Sequence, residues 1–143
     1  NKSLTEKEAK VIRYIKIFSF FKSELGKRIL KAHEEGRMVH RELPFFTEIS
    51  SLNINPELNK EIYQNEKIRL QGIIDGFFKE EDGIVLFDYK TDYLEEGNEE
   101  EIIERYKIQM KYYKEALEKI TESRVKEIYL YLFALDKEVV LEI

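Results

Sequence analysis

Apolar residues recur along the chain with two different periods, and the changes of period divide it into elements. Over residues 1–36 the spacing is helical. Thr5 and Glu8 stand three apart, as in a capping box, where hydroxyl and carboxylate each satisfy one orphan backbone N–H. Ile12, Ile15 and Phe18 continue as an apolar stripe. Ser23 is placed to cap a second helix that carries Leu25, Ile29 and Ala32 on one side. Glu24 and Arg28 are expected to pair across one turn, and Gly36 to stop the helix.

Residues 38–50 read as a strand, with Pro44 pointing to a sheet edge or a bulge because proline cannot donate to a ladder. Residues 51–66 are polar and read as a loop with a short helical turn around Leu58 to Tyr63. Two apolar runs follow, Ile68–Phe78 and Ile84–Tyr89, separated by a stretch that ends in Asp82-Gly83, a hairpin signal. From about 99 to 120, Ile103, Tyr106, Met110, Tyr113, Leu117 and Ile120 alternate by three and four, an amphipathic helix facing a core. Asn98 and the glutamates around it suit its start. Val125 to Leu135 and Val139 to Ile143 read as strands. Helices, three strands, a helix and a strand imply an α/β layer fold with a crossover helix. The 143 residues are expected to form one domain, helical over 1–36 and α/β over 38–143.

Composition narrows the chemistry. Hydrophobic residues make up 43%, enough for a core, while 24 basic against 29 acidic residues give a net charge of -5. A simple polycationic nucleic-acid binder would show a basic excess, so this balance excludes one but leaves room for a metal-using enzyme of nucleic acid. With no cysteine, the chain cannot build a disulfide, a thiolate zinc site or an iron–sulfur cluster. No apolar run reaches the ~20 residues of a membrane span. The chain begins with Asn1 and shows no signal peptide, and it is expected to be part of a longer, cytoplasmic polypeptide.

The unusual feature lies on the central hairpin. Ile84, Leu86, Asp88 and Lys90 share one face of a strand, so that face runs apolar and then turns charged at its C-terminal end. Asp88 and Lys90 lie about 6.8 Å apart along the strand. Asp75 joins them only in certain registers. A two-residue Asp82-Gly83 turn sets Asp75 opposite Lys90, and a four-residue loop over 80–83 sets it opposite Asp88. An even register would put it opposite Tyr89, on the wrong face. Two carboxylates converging beside a lysine are costly without a cation, and oxygen ligands suit Mg²⁺ or Mn²⁺. An isolated Asp-x-Lys is usually an ordinary surface ion pair. Here it stands within Gly72-Ile73-Ile74-Asp75 and Asp88-Tyr89-Lys90-Thr91-Asp92, with Gln109-x-x-x-Tyr113 downstream.

These three segments, in this order, resemble the RecB-type branch of the PD-(D/E)XK nucleases, which carries Gly-x-x-Asp, Asp-Tyr-Lys-Thr and Gln-x-x-x-Tyr. Together with Arg41-Glu42-Leu43-Pro44-Phe45, the local context is most similar to the C-terminal nuclease domains of AddA-type helicase–nuclease subunits. The resemblance covers about residues 40–143. It implies a restriction-endonuclease-like core, a mixed central sheet flanked by helices. It implies Asp75 and Asp88 as metal ligands with the backbone carbonyl of Tyr89, Lys90 as the catalytic lysine, and Mg²⁺ or Mn²⁺ as cofactor. Gln109, Tyr113, Thr91 and Glu42 would position substrate or lysine. It also implies DNA as substrate, chiefly single strands delivered by a helicase region of the same polypeptide, and a second, AddB-like subunit, in processing of double-strand breaks. The competing reading is an inactive nuclease-like module that binds DNA or docks a partner chain.

One part of the family pattern has no counterpart. RecB-type nucleases carry an upstream Gly-Thr-x-x-His whose histidine binds metal, and neither His33 nor His40 stands in such a context. That segment is expected before Asn1, so the isolated fragment is expected to be weakly active or inactive. Two basic groups allow a second role. Lys22, Lys27, Arg28, Lys31, Arg37 and Arg41 can contact phosphates or form a solvated face. Lys107, Lys111 and Lys114 read as a solvated face away from Gln109.

Overall fold

The structure, a computed structural model, describes residues 5–91 and 99–143. Two helices come first, α1 (Glu6–Lys22) and α2 (Glu24–Glu34). The capping box forms as expected. Thr5 Oγ1 accepts from the Glu8 N–H at 3.2 Å, and the Thr5 N–H donates to the Glu8 carboxylate at 3.0 Å. Ser23 caps α2 through the Gly26 N–H, and Gly36 ends this region with φ 72°. The expected cap at Asn98 and the residue Asp92 lie outside the described residues.

Five strands follow in chain order and in the same spatial order: β1 (Val39–Ser50), β2 (Lys67–Glu80), β3 (Gly83–Lys90), β4 (Val125–Leu132) and β5 (Lys137–Leu141). Short helices α3 (Ser51–Ile54) and α4 (Lys60–Tyr63) lie between β1 and β2. The long helix α5 (Glu99–Thr121) makes the crossover from β3 to β4, the one parallel pair in the sheet. Residues 133–135, expected in a strand, form a 3₁₀ turn instead. β1 is an edge strand, which explains how Pro44 is tolerated there.

Each face of the sheet has its own core. On one face Met110, Ala116 and Leu117 of α5 pack on Phe45, Ile74, Phe77, Ile84, Leu86 and Leu130. On the other, Leu25, Ile29 and Ala32 of α2 pack on Phe78, Val85, Phe87, Tyr129 and Tyr131, with Phe20 beside them. Fully burying one such side chain is worth about 1.5–3 kcal/mol, so these two layers carry the stability of the fold.

Three expectations about surfaces fail. The α1 stripe is uncovered: Ile12, Ile15 and Phe18 are 41%, 57% and 61% exposed, and only Phe20 near the end of the helix is buried. Ile120, in the last turn of α5, is also exposed. Arg28 does not pair with Glu24. It reaches across the sheet to Glu80 and Glu127 and donates to the Tyr129 hydroxyl at 3.1 Å, because half-buried carboxylates on strands hold a guanidinium better than an exposed helix neighbour. With Arg37 bound to Glu35, much of the basic cluster is neutralised by neighbours.

The β2–β3 hairpin has the odd register that brings the carboxylates together. Gly76 pairs with Phe87 and Glu80 with Gly83, so one further step sets Asp75 opposite Asp88. The loop is shorter than expected for this register. Only Glu81 and Asp82 lie between paired residues, and neither has positive φ. An Asp-Gly centred hairpin turn would need positive φ at both central positions. Gly83 instead starts β3 at φ 152°, where a Cβ would approach the Arg124 carbonyl to 2.9 Å.

Strand alternation breaks in β2. Ile74 and Phe77 stand three apart yet join the same core. The break falls where the β2–β3 ladder ends at Gly76. It also falls opposite Glu42 of β1, a non-glycine residue at φ 49°. The register of β1 on β2 brings Glu42 level with Asp75.

Candidate metal and nucleic-acid site

Asp75 leans across the gap left by the ending ladder. Its Oδ2 accepts a hydrogen bond from the Tyr89 N–H at 2.8 Å, standing in for the backbone carbonyl that a continued β2 would supply. Tyr89 thus faces two ways. Its backbone meets Asp75, while its ring packs with Phe20, Phe87 and Phe133 on the opposite side of the sheet.

Asp88 is only 3% exposed, and Lys90 Nζ lies 2.6 Å from its Oδ2. The contact is an ion pair without hydrogen-bond geometry: among the described residues Asp88 Oδ2 accepts no hydrogen bond. Burial, together with the neighbouring Asp75 carboxyl, pushes the Asp88 carboxyl well above the usual carboxylate range, to about 7, against the opposing pull of Lys90. The Asp88 carboxyl is therefore poised between its charged and neutral forms, and the two acids share a single neighbouring lysine.

Lys90 is held on three sides. Its Nζ faces Asp88, donates to Gln109 Oε1 at 2.8 Å, and sits 4.3 Å above the centre of the Tyr106 ring. Gln109 Nε2 in turn donates to the Tyr113 hydroxyl at 3.2 Å. Burial and the charges of Asp88 and Asp75 raise the Tyr113 pKa. Gln109 and Tyr113 share a side of α5 because they are four residues apart. Gly72 makes room for this arrangement. A Cβ there would meet the Phe45 ring at 3.2 Å and the Tyr113 hydroxyl at 3.4 Å.

The structure therefore brings Asp75, Asp88, Lys90, Gln109 and Tyr113 into one cluster. Thr91 is exposed and lines a hollow beside Lys90, and Glu42 is exposed on β1 at a position level with Asp75. Neither histidine joins them: His40 stacks on the Phe77 ring at 4.4 Å, and His33 lines a hollow beside α2. Lys107 and Lys111 border a different hollow from that of Gln109, with Lys107 paired to Glu104. Among the described residues, no three His, Cys, Asp or Glu side chains converge as a ready-made metal site. Two carboxylates fit a hard divalent cation only if backbone oxygen or further groups complete the shell. Sequence reasoning missed Arg105, which lines the hollow with Lys90; its position four residues before Gln109 was the available signal.

Residues 5–142 match the PD-(D/E)XK nuclease superfamily. The chain belongs to that superfamily. Its five-stranded mixed sheet with flanking helices is the restriction-endonuclease-like fold of PD-(D/E)XK nucleases. Among curated relatives, an ATP-dependent helicase/nuclease subunit of Clostridium perfringens (strain 13 / Type A) is 58% identical over 135 residues. Proteins of the same name from Clostridium novyi (strain NT) and Clostridium beijerinckii (strain ATCC 51743 / NCIMB 8052) are 54% and 52% identical over 136 residues. These matches cover 94–95% of this chain and 11% of each relative, so the PD-(D/E)XK chain spans about one-ninth of their length. Among the described residues no helix is long and apolar enough to cross a membrane.

Proposed function

We propose that this chain is the nuclease part of an ATP-dependent helicase–nuclease. It would hydrolyse DNA phosphodiester bonds on strands that a helicase region of the same polypeptide unwinds, during processing of double-strand breaks. The observation that carries this reading is the Asp75–Asp88 pair against a lysine fixed by Gln109 and the Tyr106 ring. A solvated surface ion pair would need none of this support. The relatives are named ATP-dependent helicase/nuclease subunits, which supports a helicase region in the same polypeptide; a second, AddB-like subunit is part of the same proposal.

Asp75, Asp88 and the backbone carbonyl of Tyr89 would hold one or more divalent cations, Mg²⁺ or Mn²⁺. A cation so held lowers the pKa of bound water and neutralises charge on the phosphate. The raised pKa of Asp88 fits that demand, because a buried acid pair lacking positive charge gains most from a cation. Lys90 supplies a positive charge already oriented, so it can stabilise negative charge developing on the phosphate without reorganising. Gln109 fixes the ammonium from one side and is itself fixed by Tyr113. Thr91 and Glu42 would meet the strand rather than the scissile bond.

The test uses the intact polypeptide. Asp88→Ala and Lys90→Ala should each abolish Mg²⁺-dependent cutting of single-stranded DNA while ATP-driven unwinding continues. Cutting that persists in both variants would sink the assignment.

A further inference from the structure

Beyond Lys90, away from the two carboxylates, the surface opens into a hollow of about 420 Å³ lined by Tyr89, Lys90, Thr91, Arg105, Tyr106 and Gln109. Among the described residues no carboxylate lines it. Its polar side chains are two cations, hydroxyl groups that can donate, and an amide. The charge of Lys90 is matched by Asp88. Arg105 has no such match: among the described residues it makes no ion pair, although Glu101 and Glu104 stand nearby on α5. Glu104 is taken by Lys107. Arg105 also borders a second hollow with Glu101 and Glu104, so its exposed side chain stands between that hollow and a donor-rich one next to the groups that would cut the strand.

Helix geometry gives the hollow a direction. Arg105, Gln109 and Tyr113 recur every four residues on α5, so they form a row on one side of the helix. Successive members are about 6 Å apart along the axis. Gln109 binds the Tyr113 hydroxyl on one side and the lysine on the other, so Arg105 comes next along the row, one turn toward the start of the helix. We infer that Arg105 and this hollow form a subsite for the nucleotide adjacent to the cleaved bond, with the guanidinium holding its phosphate. The inference rests on the nuclease reading and adds a positioning residue to it. Arginine suits the task because its planar fork can hold two phosphate oxygens at once. The neighbouring phosphate is then anchored outside the metal site, which fixes where the strand stops.

Arg105 is exposed, so replacing it costs the fold little. The experiment measures steady-state cleavage of a short single-stranded DNA oligonucleotide by the intact polypeptide with Mg²⁺, across a salt series. Arg105→Gln should raise KM about five- to tenfold with kcat within about twofold. Losing one phosphate contact on a single strand should reduce the slope of log(kcat/KM) against log[salt] by about 0.7. Arg105→Lys, which keeps the charge without the fork, should keep the slope and raise KM less. Lys7→Gln, an exposed charge on α1 outside both basic groups, should change neither quantity. Wild-type KM and slope in Arg105→Gln would overturn the subsite and leave the nuclease reading standing. Absence of any cleavage by the wild-type protein would remove both.

Discussion

Asp75 completes, with a side chain, the strand pairing that its own backbone abandons at Tyr89. One carboxylate oxygen closes the ladder, which leaves the other free for the acid pair with Asp88. In the proposed function a structural and a chemical role would therefore meet in one residue, and substitutions can separate them. Asp75→Asn keeps a carbonyl oxygen that can accept from the Tyr89 N–H, so stability to urea should stay within about 0.5 kcal/mol of wild type. Asp75→Ala leaves that N–H without its partner and should cost about 1–3 kcal/mol. Both variants should lose Mg²⁺ or Mn²⁺ binding in a calorimetric titration. Equal stability of the two would show that the hydrogen bond carries no weight.

Lys90 and Gln109 give a kinetic prediction. Hydrogen bonds to charged groups are worth about 1.5–3 kcal/mol, or roughly 10- to 100-fold in rate if the oriented ammonium acts in the transition state. Gln109→Ala should therefore lower kcat for single-stranded DNA by about that factor and leave KM nearly unchanged. Tyr113→Phe removes only the hydroxyl that steadies Gln109 and should cost a few-fold. A change in KM alone would assign Gln109 to strand binding instead.

How much of this was legible in the sequence differs from residue to residue, for physical reasons. Asp88 and Lys90 could be placed on a common face from strand alternation alone, because β3 is regular and buried on both sides. Asp75 could be placed only conditionally, since its position depended on the register and, as the structure shows, on a break in alternation near Glu42. Local periodicity does not report such a break. Arg28 shows the limit from another direction. Its neighbours in sequence suggested Glu24, whereas its partners Glu80 and Glu127 come from strands 52 and 99 residues away. The α1 stripe misled because an apolar period marks a surface able to be buried, and Ile12, Ile15 and Phe18 stay largely exposed, with the Lys22 ammonium over the Phe18 ring.

The Arg28–Glu80 pair makes acid stability predictable in sign. The hydrogen bond from Arg28, helped by Lys126 and opposed by burial, holds the Glu80 carboxyl at about 2 against an ordinary value of 4.5. A carboxylate with a depressed pKa stabilises the fold fully above its unfolded value and loses that contribution as pH falls through the folded one. Urea stability should thus drop between about pH 4.5 and pH 2. Arg28→Gln should cost about 1–3 kcal/mol at pH 7. It should also flatten the acid dependence in that window. An unchanged acid profile would mean that other carboxylates govern it.

Tyr131 presents the opposite case, a polar group whose removal should help. It is fully buried on the α2 side of the sheet, edge-on to Phe20 and Phe133, and among the described residues its hydroxyl has no hydrogen-bond partner. Burial raises its pKa, with the charges of Asp136 and Glu138 adding to the shift, so the hydroxyl stays neutral. A buried hydroxyl without a partner costs about 1–3 kcal/mol relative to its hydrated state. The phenylalanine ring fills nearly the same space, so Tyr131→Phe opens no large cavity. Stability to urea should rise by about 1 kcal/mol, with the denaturant slope unchanged because the surface exposed on unfolding is almost the same. Tyr131 lies across the sheet from Asp88 and Lys90, so cleavage by the intact polypeptide should be unaffected. A loss of stability would mean that the hydroxyl has a partner in solution and that this aromatic layer is wetter than its packing indicates.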